Sequence, residues 1–273
     1  MRRSLNRFRD SGKSVGLVEL AQQLLAVESA IDPALARRIV GFALDREPRS
    51  LPDRLRPGDL RPGAEFEVAG RSLAAAEFVV VDLETTGLDV DGASILEIGA
   101  VRISRLRILD RFETLVRPPG RLPRAIVALT GIRDAMVAEA PTCGRALRSF
   151  ARWLDRTPTA PFVAHNASFD HRFVTRAFEL CGLPPYGGAV LCTRKLARRL
   201  VPELGRYDLD HVCAHFGVSN RERHRALGDA EATARALIDL LEIAQSQFEM
   251  RNLGELIDLQ RRPPAKRKRI AKR

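Results

Sequence analysis

EFVVVDLETTGLD, residues 77–89, is where the chain changes character. A continuous apolar run closed by acids reads as a strand buried on both faces, not as a half-exposed one. Side chains on a strand repeat every two residues, so Asp82 and Glu84 leave the same face at the strand's end. Two unpaired carboxylates at one buried end repel each other unless one is protonated or a cation lies between them. Hard oxygen ligands of this kind suit Mg²⁺ or Mn²⁺. Thr85, Thr86 and Gly87 then predict a tight turn bearing hydroxyls, where a nucleotide could approach the backbone.

Working outward, the sequence supplies four more strands. ASILEIGAVRIS (93–104) and RILDRFETLVRP (107–118) follow closely and alternate, which predicts neighbours joined by tight turns. APFVAHN (160–166) and GAVLCT (188–193) read as two further short strands. PTCGRALRSFARWLD (141–155) has the spacing of an amphipathic helix, SFDHRFVTRAFELCG (168–182) of a helix ending at Gly182, and LGDAEATARALIDLLEIAQ (227–245) of a long final helix. The expected fold class is α/β, with about five strands and helices mainly in the second half.

Upstream, residues 46–64 hold four prolines and two glycines, too many for a helix or a central strand. They separate residues 1–72 from the rest. In that extension VGLVELAQQLLAVES (15–29) and DPALARRIVGFALD (32–45) predict helices, the second with Asp32 as N-cap and Pro33 in its first turn. EFEVAGRSL (65–73) allows a short hairpin, which would complete a winged-helix outline; an irregular helical extension fits equally. The body of the chain is then 73–250, and 251–273 is expected to be a basic, disordered tail.

Two more segments carry chemistry. Asp170 falls in the first turn of the helix after APFVAHN, where an acid alone would merely complement the helix dipole. His224 and Asp229 straddle the start of the 227–245 helix, among the small residues Ala226, Gly228 and Ala230 that permit close packing on a sheet.

In combination these segments resemble the DEDDh family of 3′–5′ exonucleases, whose best-known member is the proofreading epsilon subunit of bacterial DNA polymerase III. The similarity covers roughly residues 75–245. DLETTG (82–87) looks like that family's Asp-x-Glu-Thr-Thr-Gly motif, HNASFD (165–170) like its second motif, and HRALGDA (224–230) like its His-x-Ala-x-x-Asp-Ala third. LTGI (129–132) is a further family-like stretch. The resemblance implies a ribonuclease H-like fold with a mixed five-stranded sheet flanked by helices, beside a small, mostly helical N-terminal region. It implies two Mg²⁺ or Mn²⁺ ions, with Asp82 shared by both, Glu84 and Asp229 completing one site, and Asp170 supporting the other. His224 would act as general base, while Thr85, Thr86, Leu88 and Asn166 would hold the terminal nucleotide. The implied reaction releases nucleoside 5′-monophosphates from single-stranded or frayed DNA 3′ ends, in proofreading or repair, with a DNA polymerase subunit as the candidate partner. An RNA-directed enzyme of the same family is the alternative substrate reading. A non-catalytic nucleic-acid-binding or polymerase-associated subunit would require a lost ligand or base, and none of the five positions departs from the pattern.

The charge balance agrees with a polyanionic substrate but is uneven. Of the net +11, residues 1–72 contribute +3 and residues 73–260 nothing, while the last 13 residues hold eight basic side chains and no acid. A like-charge block of that kind serves nucleic-acid contact, localisation or solubility. No apolar run approaches the ~18 residues of a membrane span, and the basic N-terminus lacks the apolar stretch of a secretory signal. The four cysteines form no C-x-x-C pair, so a reducing, cytoplasmic setting is expected. Three tempting motifs fail. SGKS (11–14) has Arg7 where a P-loop needs glycine, His211 and His215 lack a zincin glutamate, and NAS (166–168) is a sequon only in a secreted chain.

Overall fold

The computed structural model describes residues 15–25, 32–44, 53–55 and 72–263. These fall into two compact units, one of the described residues up to 55 with 252–254, the other of 72–251 and 255–263.

In the first unit β1 (Val15–Gly16) pairs antiparallel with β2 (Arg54–Leu55), alongside α1 (Leu17–Leu25) and α2 (Pro33–Leu44). Leu17, Leu20, Ala21 and Leu24 recur at helical spacing and bury one face with Ala36, Val40, Leu44 and Leu55. The Asp32 carboxylate accepts the Ala34 N–H at 2.9 Å, with Pro33 opening the helix. Part of the proline-rich stretch thus makes a two-residue strand in place of a bare linker. The hairpin expected over 65–73 lies outside the described residues as far as residue 71, as does SGKS. Leu73–Ala75 forms a turn of 3-10 helix.

The second unit runs β3 (Glu77–Thr85), β4 (Ile95–Ser104), β5 (Arg107–Leu115), α3 (Arg124–Thr130), α4 (Asp134–Val137), α5 (Cys143–Leu154), β6 (Phe162–Ala164), α6 (Ala167–Leu180), β7 (Val190–Cys192), α7 (Thr193–Leu200), α8 (Leu209–His215) and α9 (Ala226–Ser246), and α10 (Leu253–Arg261) follows. Strand order is β5-β4-β3-β6-β7. β3, β4 and β5 are antiparallel, whereas β3, β6 and β7 are parallel, giving the expected mixed five-stranded sheet. Arg105 (φ 51°) and Leu106 (φ 58°) make the two-residue turn between β4 and β5, the left-handed pair that matches strand twist.

Alternation along β3 splits the core in two. Val79, Val81 and Leu83 pack with Leu147, Phe150 and Trp153 of α5 and Phe173 and Val174 of α6. On the opposite face α9 lies across β3 and β4, with Ala226, Ala230, Ala234 and Leu237 fully buried. Small residues bring that helix close. A Cβ on Gly99 of β4 would sit well inside 3.0 Å of backbone atoms of Ala226 and Leu227.

One expectation is corrected. The 251–273 segment does not open as a tail, and α9 is not the final helix, because α10 follows it. Leu253, Leu256 and Leu259 recur every three residues and are buried, which the basic content of the segment obscured. Residues 264–273 lie outside the described residues. Among the described residues no helix is long and apolar enough to cross a membrane.

Candidate active site

Because β3, β6 and β7 are parallel, their C-terminal ends share one edge of the sheet, and the expected residues collect there. Asp82 and Glu84 come from β3. β6 pairs only with Val79 and Val80, so the flank of β3 beyond them is open. Asp170, in the first turn of α6, fills that flank, and its carboxylate accepts the Leu83 N–H. His224 and Asp229 arrive from the other face with the start of α9. His224 has φ 58°, a left-handed backbone that non-glycine residues adopt at some cost, and its N–H donates to the Asp229 carboxylate at 3.2 Å. The Asn220 amide donates to the other oxygen of Asp229.

One donor atom each from Glu84, His224 and Asp229 lies within 4.8 Å of the others. Asp82 and Asp170 stand outside that tight trio but are coupled to it through their charge. Asp82 keeps partial solvent contact, yet protein surrounds it densely. Burial, then Asp170, Asp229, Glu84 and Glu97, raises its carboxyl well above the usual range. Burial pushes Glu84 up to about 8, reinforced by Asp229, Glu97 and Asp170 and opposed by Arg225. Burial also lifts Asp170 to about 7, against the N–H groups of Asp170 and Leu83. Asp229 is raised by burial and held back by Asn220 and the His224 N–H. Four crowded oxygen donors with so little neutralisation fit a hard divalent cation, the partner that would relieve all four shifts.

The remaining sequence candidates rim this site. Thr85 is buried and donates its hydroxyl to the Gly87 carbonyl at 2.6 Å, and the Thr86 hydroxyl accepts the Ser94 N–H at 2.8 Å. Both hydroxyls therefore shape the turn itself. Leu88 is 81% exposed and Asn166 is exposed, leaving both free to meet a ligand. His211 bonds Asp208 at 2.6 Å on α8, and His215 packs edge-on against Phe216, so neither joins the site.

Sequence reasoning passed over three groups that build this edge. Glu97, opposite Glu84 in register, is fully buried and bonded to Arg225 and the Ala226 N–H. Its signal was a lone charge inside the apolar run ILEIGAV. Asn220 had no signal, since it reaches Asp229 from a loop. His165 is buried in the second motif, its Nδ1 3.0 Å from the Thr193 hydroxyl and its Nε2 2.9 Å from the Tyr207 carbonyl. Burial lowers its pKa, so the neutral ring ties β6 to α7.

Comparison with known proteins converges on one family. The model of a family described as exonuclease matches residues 79–237. PolC-type DNA polymerase III from Bacillus cereus is 37% identical over 186 residues, 67% of this chain but 13% of that protein. Its counterpart from Oceanobacillus iheyensis is 38% identical over 177 residues, 65% of this chain and 12% of that one. The chain thus spans about an eighth of the length of these curated relatives. Exonuclease X, solved in complex with 5′ overhanging duplex DNA, superposes with TM-score 0.52 at 29% identity over 67% of this chain and 99% of its own. The nuclease domain of 3′hExo, a DEDDh family member bound to rAMP, shares the fold with TM-score 0.55 at 20% identity, over 63% and 94% of the two chains. The mixed sheet is the ribonuclease H-like one that the motifs implied, and the chain belongs to the exonuclease family.

Proposed function

We propose that the chain hydrolyses phosphodiester bonds at DNA 3′ ends and releases nucleoside 5′-monophosphates, using two Mg²⁺ or Mn²⁺ ions. The observation that carries this reading is the meeting of Glu84, His224 and Asp229 beside Asp82 and Asp170, a base among under-neutralised carboxylates. When bound, a pair of divalent ions would supply the charge that steadies the attacking and leaving oxygens. Asp82, Glu84, Asp170 and Asp229 would hold these ions, a reading supported by the charge that the other three exert on Asp82. The imidazole of His224 takes the proton of the attacking water. Exposed Leu88 offers an apolar surface to the terminal base, and Asn166 a polar contact to its sugar, while Thr85 and Thr86 set the turn against which they stack.

The names of the PolC-type relatives and of the exonuclease X complex support DNA over RNA, and the former support work alongside a DNA polymerase. The test is degradation of 3′ and 5′ end-labelled DNA and RNA of one sequence by the full chain, with and without EDTA. Asp82→Ala should abolish cleavage, and His224→Ala should slow it by roughly 10²–10⁴-fold, the scale of a positioned base. Robust cleavage by the Asp82 variant, or turnover indifferent to EDTA, would refute the reading. Faster RNA than DNA decay would assign the chain to the RNA-directed alternative.

A further inference from the structure

The groups described so far gather around Glu84, His224 and Asp229, but Arg225 and Glu97 direct their hydrogen bonds at each other. Glu97 lies inside β4 with no exposed side-chain area, while Arg225 is one-third exposed. Nε of Arg225 donates to both Glu97 oxygens at 3.1 Å and Nη2 donates to Oε1 at 2.6 Å. The Ala226 N–H adds a fourth bond to Oε2 at 2.9 Å. Nη2 also lies 3.5 Å from Glu113 on β5. Residues 225 and 226 are therefore bolted to β4 at the strand position opposite Glu84, directly after His224, whose backbone is left-handed and whose N–H binds Asp229.

We propose that Arg225 and Glu97 form a positioning clamp, which sets the His224 imidazole against Glu84 and Asp229. The proposal rests on the catalytic reading of those residues. A buried ion pair is weak as a source of stability, because apolar residues of equal volume often serve as well. What it offers here is direction. The planar guanidinium fork meets a carboxylate in one orientation, and an ammonium group cannot reproduce that. The two strands then fix His224 from behind, where an apolar contact would leave the left-handed joint free to turn.

The test uses the full chain with Arg225→Lys, Arg225→Gln and the double variant Glu97→Gln/Arg225→Gln, which leaves no lone buried charge if the single change fails to fold. With Mg²⁺ present, kcat should fall about 10- to 100-fold in all three, the usual loss when a supporting partner of a metal-site residue goes, while KM stays within about twofold. In a His224→Ala background Arg225→Gln should cost less than about threefold more, since residues acting through one another are not additive. Histidine side-chain NMR gives a readout independent of turnover. The His224 signal, assigned by its absence in His224→Ala, should broaden or split in Arg225→Lys as well as Arg225→Gln, with the other four histidines unmoved. A lysine variant with wild-type kcat and a single sharp His224 signal would overturn the clamp, and so would multiplicative losses in the His224→Ala background. If the wild-type chain shows no nuclease turnover, the functional reading fails, and the His224 signal alone still decides whether the clamp holds the ring.

Discussion

Gly99→Ala isolates what close packing contributes to this site. The added methyl would lie well inside 3.0 Å of the Ala226 carbonyl carbon and oxygen and the Leu227 nitrogen. All three are backbone atoms, so no rotamer change relieves the overlap. The first turn of α9 must retreat from β4 by on the order of 1 Å, or the strand must bend. Forced overpacking of a core costs about 1–3 kcal/mol and sometimes more. Replacing glycine by alanine gains only about 0.4–1 kcal/mol through the unfolded chain, so the clash wins and net destabilisation of about 1–2 kcal/mol is expected. For a domain of this size that lowers Tm by roughly 2–8 °C. The same retreat carries Asp229 and His224 away from Glu84, and a displacement near 1 Å at reacting groups can cost about 10²-fold in rate. Urea denaturation followed by circular dichroism and steady-state turnover on a labelled oligonucleotide would measure the two effects. Gly120→Ala is the control, because a Cβ there meets nothing within 4 Å. A Gly99→Ala protein matching wild type in both stability and kcat would refute the packing argument.

Other outcomes follow from the same structure. Glu84 is raised from its ordinary range to about 8, so between about pH 4.5 and 8 the unfolded chain gives up a proton that the folded one keeps. The EDTA-treated protein should therefore lose stability as pH rises across that window, by up to about 5 kcal/mol. Mg²⁺ should raise Tm far more at pH 8 than at pH 5.5, and a metal-free Tm that climbs steadily over the range would contradict this. Trp153 donates to Asp110 at 3.0 Å under the Arg102 guanidinium, which stands 4.7 Å from its ring; Trp153→Phe should cost about 1–2 kcal/mol in denaturation while leaving kcat within about twofold. Arg199 Nε donates to the Arg262 carbonyl at 2.8 Å, so a tail truncation should fall after Pro263 and leave that bond intact. It removes six basic residues, and if half of them contact phosphates, the log–log salt dependence of single-strand binding should become shallower by about 2. An unchanged slope would show that the tail leaves nucleic acid alone.

The strands and the five acidic and histidine positions were legible because each obeys a local rule. Period two places Asp82 and Glu84 on one face, and the small residues around 226–230 announce a helix that must approach a sheet. Asp170 was readable only as a helix-start acid, since its real partner is a Leu83 N–H freed by the shortness of β6, a property of strand pairing across some eighty residues of chain. α10 was lost to its neighbour, because the basic run of residues 261–273 masked a leucine at every third position in a helix that itself carries two acids and one arginine. Glu97 shows the limit most clearly. On a strand it looks like an interruption of the apolar pattern, and strand rules have no place for a charge at zero exposure. Its justification lies 128 residues later, in the arginine beside the candidate base. Local pattern can flag such a residue as an anomaly, but the reason for it exists only once the third dimension brings its partner to the same edge. A buried charge that breaks the periodicity of an otherwise regular strand is thus worth reading as a request for a distant counter-charge, and in this chain that request is answered next to the chemistry.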